Sequence, residues 1–142
     1  MDYLTASDMR TGEVLRSWKI RDGEFFTVKY THSVQLTPVW ETYEIQSGDI
    51  VLKETIFQSF GAGLPSTSPY DFEITEQGFR LYNIDMKITD LVYRVGAVRA
   101  NHSLIIDGKE YPFLDFAEPG EGIKFEINKL SYLEYITKEG FR

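Results

Sequence analysis

The feature that most constrains the fold is the alternation of apolar and polar residues between Phe25 and Pro65. Successive side chains of a β-strand point to opposite faces, so residues two positions apart share a face. Three segments follow this rule, with turn residues between them, and they predict three consecutive antiparallel strands. The predicted inward face consists of Phe26, Val28, Tyr30, His32 and Val34, then Val39, Glu41, Tyr43 and Ile45, then Ile50, Leu52, Glu54 and Ile56.

Three polar residues stand on this otherwise apolar face. If Val34 lies opposite Val39 across the first turn, antiparallel pairing places His32 opposite Glu41. The same count across the second turn places Glu41 opposite Glu54. The sequence therefore predicts a row of one imidazole and two carboxylates.

The predicted row has several interpretations. Two adjacent carboxylates on an apolar face call for a shared proton, a bound cation or a compensating histidine, which is typical of a metal site or a general acid/base pair. A structural interpretation is a hydrogen-bonded polar row at the rim of the core, or a β-bulge that turns Glu54 outward. In a third interpretation, His32 and Glu41 only fix the register of the first hairpin. The spacing selects no particular metal, and we assign no metal, cofactor or catalytic residue.

The loop Phe60-Gly61-Ala62-Gly63-Leu64-Pro65 follows the third predicted strand. Its two glycines permit positive φ angles and close backbone approach. The Lys-Ser/Thr ending of a phosphate-binding P-loop is absent, so a loop that ends a strand is the simpler interpretation. If a site exists, Gly61, Gly63 and Pro65 are predicted to form its wall or lid.

The rest of the chain repeats the same pattern of short strands and turns. The opening segments predict a hairpin with Trp18 directed at the core, and Asp107-Gly108 is the strongest hairpin turn in the sequence. That hairpin places His102 opposite Phe113, as a packing residue with its hydrogen bonds satisfied. Residues 130–136 fit a final edge strand or a short helix, and we favour the strand. These features predict one all-β domain over residues 1–142, a mainly antiparallel β-sandwich or barrel built from consecutive hairpins.

Composition excludes some classes of function. The net charge of −7, with no cluster of basic residues in the sequence, argues against a nucleic-acid partner. The chain has no cysteine, which removes disulfides, thiolate nucleophiles and thiolate metal ligands. No apolar run reaches membrane-spanning length.

One stretch resembles a known protein family. The residues Tyr30-x-His32-Ser33-Val34, then Thr37-Pro38-Val39-x-Glu41, then Phe60-Gly61-Ala62-Gly63-Leu64-Pro65 match the pattern of domain of unknown function 1850 at every position. The resemblance is specific between Tyr30 and Pro65 and looser in the C-terminal half. Members of this family are often encoded beside tripartite (TRAP) transporters of the TAXI type and often carry an N-terminal hydrophobic segment, which this chain lacks.

The resemblance implies an extracytoplasmic location in the cell envelope of a bacterium, with peripheral or anchored membrane association in the full-length protein. Its partners would be TRAP/TAXI transporter subunits or a small-molecule solute. We therefore expect a non-enzymatic accessory or binding module, and the residues expected to contact its ligand or partner are His32, Ser33, Glu41, Glu54, Gly61, Gly63 and Pro65. The alternative is a hydrolase or metal-dependent enzyme with His32 as base and Glu41 or Glu54 as orienter or ligand.

Overall fold

The computed structural model describes residues 2–32, 36–58, 70–96 and 101–129. Twelve strands and one 3₁₀ helix, Phe113–Asp115, occupy these ranges. In chain order the first six strands are β1 (Asp2–Asp8), β2 (Val14–Lys19), β3 (Phe25–Thr31), β4 (Pro38–Gln46), β5 (Asp49–Phe57) and β6 (Asp71–Thr75). The other six are β7 (Gly78–Tyr82), β8 (Met86–Ile88), β9 (Leu91–Arg94), β10 (Ser103–Ile106), β11 (Lys109–Pro112) and β12 (Gly122–Lys129).

The strands form two antiparallel sheets. The smaller sheet has the order β2-β1-β12-β9. The larger sheet has the order β11-β10-β3-β4-β5-β7-β6, and β8 pairs with one end of β5. The two sheets pack face to face as a β-sandwich, which confirms the predicted fold class. Within the described residues, no helix is long and apolar enough to cross a lipid bilayer.

The core lies between the inner faces of the two sheets. The smaller sheet contributes Leu4, Ile123 and Phe125, and the larger sheet contributes Phe26 and Leu104, all of them less than 2% exposed. The core also contains Trp18, as predicted. Apolar and polar residues alternate along the strands. Burial of the apolar residues therefore fixes which side of each strand faces inward.

The turn chemistry of the sequence predicted several pairings correctly. β1 and β2 form the expected opening hairpin. Ile106 pairs with Lys109 across the Asp107-Gly108 turn, and Ile45 pairs with Ile50 across the second turn of the central segment. One difference follows β11, where the chain enters the 3₁₀ helix instead of continuing as a strand. The predicted final strand at residues 130–136 lies outside the described residues.

The register predicted for the first central hairpin is wrong. Glu41 lies opposite Val28, and Tyr30 lies opposite Val39. The loop is longer than expected: the backbone N–H of His32 donates to the carbonyl oxygen of Thr37, at 2.8 Å. This register differs from the predicted one by an even number of residues, so it keeps every side chain on its predicted face and satisfies the alternation equally well.

A β-bulge changes the second half of β5. The pairing of β4 with β5 shifts between Thr42 and Tyr43, so Thr42 lies opposite Glu54 and Glu41 lies opposite Thr55. A bulge inserts one extra residue on one strand and exchanges the two faces beyond it. The predicted pairing of Glu41 with Glu54 is therefore wrong, and the alternative in which a bulge turns Glu54 away is the arrangement observed.

Candidate functional site

A cleft opens on the inward-facing side of β3, β4 and β5, at the end of the hairpin. Its volume is about 330 Å³, which is at the lower end of the range for small-molecule sites. It is lined by Tyr30, His32, Thr37, Val39, Glu41, Thr55 and Phe57, and we call it the Glu41 cleft. Thr55 and Phe57 reach it because of the bulge in β5, which turned these residues inward.

The carboxylate of Glu41 is held from the opposite sheet. The hydroxyl of Tyr93, on β9, donates a hydrogen bond of 2.7 Å to Glu41 Oε1. The hydroxyls of Tyr93 and Tyr43 are 2.5 Å apart. A phenol has one hydrogen, and that of Tyr93 is used on Glu41, so Tyr43 donates to Tyr93. The result is a directed chain from Tyr43 through Tyr93 to the carboxylate.

Burial and the negative charge of Glu41 keep these phenols protonated. Both effects raise the pKa of Tyr30 to about 12, with burial the larger. Burial is also the main cause that raises the pKa values of Tyr43 and Tyr93 well above the ordinary value. Protonated phenols are hydrogen-bond donors, so the interior side of the cleft presents donors to Glu41 and stabilises its carboxylate.

A second histidine packs behind the cleft. The ring of His102 stacks on Tyr30, with centroids 5.0 Å apart, and also contacts Tyr93 and Phe113. Burial lowers the pKa of His102. Its apolar surroundings match the sequence prediction, but the prediction of satisfied hydrogen bonds is wrong, because Nδ1 is buried without a partner among the described residues.

The structure brings His32 and Glu41 to one cleft but not side by side. Glu41 lies opposite Val28 on the neighbouring strand. Val28 precedes His32 by four residues. At about 3.3 Å per residue, the two backbone levels are about 13 Å apart. Tyr30 and Val39 occupy the level between them. The adjacent imidazole–carboxylate pair expected for a hydrolase or a register-fixing contact is therefore not formed by cross-strand pairing.

Residues 26–113, more than half of the chain, match the family described as Domain of unknown function (DUF1850). The chain belongs to this family. Among curated proteins none matches it, and no solved structure does.

The matched DUF1850 region contains the whole Glu41 cleft. Of the seven residues that line the cleft, five stand in the motif on which the resemblance was based: Tyr30, His32, Thr37, Val39 and Glu41. They alternate along the two strands of one hairpin, so the motif describes one face of that hairpin. This placement gives the motif a physical meaning, since its side chains share a cavity.

Glu54 belongs to a different part of the DUF1850 domain. Its carboxylate accepts a hydrogen bond of 2.9 Å from Arg80 Nε, and Arg80 also reaches Glu73, at 2.8 Å. All three side chains lie on the outer face of the larger sheet. Glu54 is thus separated from the Glu41 cleft by the sheet itself, and its charge is balanced by Arg80.

The other predicted contact residues have no described position. Ser33 and the loop residues Gly61, Gly63 and Pro65 lie outside the described residues, so their roles stay predictions. Within the described ranges, no group of three or more His, Cys, Asp or Glu side chains could hold a metal ion.

Sequence reasoning missed part of the cleft. Tyr93 lies far along the chain from Glu41, and only the packing of the two sheets joins them. The available signal was general: a buried tyrosine hydroxyl usually has a hydrogen-bond partner. The alternation that puts Glu54 and Ile56 on the inward face predicts the opposite face for Thr55 and Phe57. That prediction is wrong, because the bulge that turns Thr55 and Phe57 inward leaves no clear mark in the alternation.

Proposed function

We propose that this DUF1850 protein is a non-enzymatic binding module, and that the Glu41 cleft holds a small ligand with a hydrogen-bond donor or a positive charge. The observation that carries the proposal is the placement of Glu41 in an open cleft, held by Tyr93 from behind. A carboxylate has about four lone-pair sites, so it can accept further hydrogen bonds from a ligand.

The walls of the cleft define the rest of the ligand. Phe57, Val39 and the ring of Tyr30 provide apolar surface, and Thr37 and Thr55 provide hydroxyls. A small apolar cavity with a few convergent polar groups is the usual form of a solute-binding site. An organic ammonium ion with a short apolar tail satisfies both the carboxylate and the walls.

The biological setting proposed for this module follows from the family resemblance. It would act on the extracytoplasmic side of a bacterial membrane as an accessory of a TAXI-type TRAP transporter, bound peripherally or by an anchor. The Glu41 cleft would then present or receive the solute beside the transporter subunits. The motif residues Ser33, Gly61, Gly63 and Pro65 are proposed to contribute to the same contact.

The ligand proposal is tested by NMR titration with n-butylammonium, and with butyrate as the probe of opposite charge. We expect n-butylammonium to shift the amide signals of Thr37 and Thr55, and butyrate to leave them in place. Glu41→Gln should weaken binding at least about tenfold, because a charge-assisted hydrogen bond contributes about 1.5–3 kcal/mol.

Glu54→Gln is the matched control for this titration. It makes the same chemical change on the opposite face of the same strand pair, so binding should stay within about twofold of the parent protein. Equal binding in the parent and Glu41→Gln proteins would remove the Glu41 cleft as the ligand site.

The transporter association is tested separately by co-purification of the full-length protein with TAXI-type TRAP transporter subunits. Recovery of the subunits with the parent protein, and their reduction with Phe57→Ala, would support the accessory role. Failure to recover any subunit across a range of pH and detergents would overturn that role without affecting the ligand proposal.

A further inference from the structure

A second pocket lies on the lateral side of the sandwich, between the edge strands of the two sheets. Strand β2 ends the smaller sheet and β11 ends the larger one. The pocket between them has a volume of about 390 Å³. It is lined by Arg16, Ser17, Trp18 and Lys19 of β2 and by Ile106, Asp107, Lys109 and Tyr111 of the β10–β11 hairpin, and we call it the Arg16 pocket.

The Arg16 pocket is basic, although the protein as a whole is acidic. Three of its side chains, Arg16, Lys19 and Lys109, carry positive charge, and Asp107 is its one carboxylate. The net charge of the whole chain is −7. None of the ion pairs between described residues involves these three cations. Their charge is therefore available to an anion from solution.

Two aromatic rings hold the guanidinium of Arg16 in place. The guanidinium carbon lies 4.8 Å from the ring centroid of Tyr111 and 5.7 Å from that of Trp18. The two rings pack edge to face, 5.7 Å apart, and so join the edge of one sheet to the edge of the other. A guanidinium stacked on aromatic faces keeps its in-plane N–H donors, which match the two oxygens of a carboxylate.

The indole of Trp18 adds an independent observation. Trp18 is 7% exposed, and its Nε1 atom is buried with no hydrogen-bond partner in the described part of the chain. A buried donor without an acceptor costs about 1–3 kcal/mol, so native proteins seldom leave one unpaired. Trp18 also lines the Arg16 pocket, so the indole N–H signal is a reporter of binding there.

We propose that the Arg16 pocket binds a small organic carboxylate with a planar, apolar body. The carboxylate pairs with Arg16, with Lys19 and Lys109 adding attraction, and the body lies against Trp18 and Tyr111. The aromatic wall favours this class over inorganic phosphate, which has no apolar surface to bury. The site is separate from the Glu41 cleft, which is lined by other strands and presents a carboxylate instead of cations.

The experiment is a titration of the ¹⁵N-labelled protein with benzoate, with neutral benzamide and inorganic phosphate as comparisons. The chain has two tryptophans, so the indole N–H signal of Trp18 is assigned with the variant Trp40→Phe. We expect benzoate to move the Trp18 indole signal and the Lys109 amide signal. Benzamide and phosphate should bind at least about tenfold more weakly, and added salt should weaken benzoate binding.

Two variants and a control separate binding from folding. Arg16→Gln should reduce benzoate affinity at least about tenfold, which corresponds to ~1.4 kcal/mol. Arg16 also packs on two rings, so its replacement could affect folding as well as binding. Lys109→Gln changes an exposed side chain and leaves the fold intact, and it should reduce benzoate affinity about threefold or more. Lys87→Gln changes the net charge equally at β8 and should leave affinity unchanged.

Several outcomes would overturn the proposal. Benzamide binding as tightly as benzoate would show that the cations play no part. Phosphate binding more tightly than benzoate would show that the aromatic wall does not select the ligand. An unchanged Trp18 signal at saturating benzoate, or equal affinity in the parent, Lys109→Gln and Lys87→Gln proteins, would remove the site.

Discussion

Tyr93→Phe removes one hydroxyl from the interior and leaves the aromatic ring in place. That hydroxyl donates to Glu41 and accepts from Tyr43. The ring contacts with Phe113 and Phe125 need no hydroxyl, so the variant tests the hydrogen bonds alone. The side chain is 8% exposed, and water cannot readily replace the lost group.

The expected loss follows from the two bonds. A hydrogen bond to a carboxylate contributes about 1.5–3 kcal/mol, and a buried hydroxyl left without its acceptor costs about 1–3 kcal/mol. Local rearrangement recovers part of this sum, so Tyr93→Phe should lower the free energy of unfolding by about 2–4 kcal/mol. With a urea m-value of about 2 kcal/mol/M, the unfolding midpoint falls by about 1–2 M.

The assay is urea unfolding followed by tryptophan fluorescence at pH 7. Tyr82→Phe is the control, because the hydroxyl of Tyr82 has no hydrogen bond to a described residue, and its effect should stay within about 0.5 kcal/mol. The direction of the hydrogen bonds, from Tyr43 through Tyr93 to Glu41, gives a second test. In the double variant Tyr43→Phe/Tyr93→Phe no phenol is left stranded, so it should be no less stable than Tyr93→Phe alone.

The reasoning would be refuted by a Tyr93→Phe protein as stable as the Tyr82→Phe control. A double variant whose loss equals the sum of the two single losses would refute the directed chain, because independent sites behave additively.

Three further predictions concern the backbone and two buried groups. Gly78→Ala should destabilise the fold by at least about 2 kcal/mol in urea unfolding, because φ is +137° and the new Cβ would lie 2.5 Å from the carbonyl oxygen of Phe57. The control is Gly108→Ala. Gly108 also has a positive φ but has open space around it, so this change should cost only about 1 kcal/mol. The pKa of Tyr30 is about 12 in the folded protein and that of an unfolded tyrosine is about 10, so the contribution of Tyr30 to stability should be constant below about pH 10 and be lost as pH rises towards 12; an ultraviolet titration with a single transition near 10 would contradict this. The pKa of His102 is lowered by burial, so its contribution to stability is lost as pH falls below about 6.5, and His102→Phe should show a smaller loss between pH 7 and pH 5 in thermal unfolding than the parent protein.

The two pockets differ in their relation to the family. The Glu41 cleft lies wholly within the residues that match DUF1850, whereas the β2 side of the Arg16 pocket lies before them. Ligand binding at the cleft is therefore the property to test in other members of the family. Binding at the Arg16 pocket is a property to test in this chain.

The sequence by itself determined the class of the fold and the face on which each residue of β3 and β4 lies. The alternation at β3 and β4 correctly placed Tyr30, His32 and Glu41 on one inward face, because side-chain direction in a strand has a period of two. The Asp107-Gly108 turn correctly fixed the register of its hairpin, because a two-residue loop allows little choice.

Only the tertiary structure decided which of these residues meet. A pattern with a period of two satisfies every even shift equally, so the separation of His32 from Glu41 was open until the longer loop set the register. The bulge in β5 turns Glu54 towards Arg80 and Phe57 into the cleft. It adds one residue to the strand, and the residue types of the strand give no sign of it. The bond between Tyr93 and Glu41 joins opposite sheets, and only the packing of those sheets creates it.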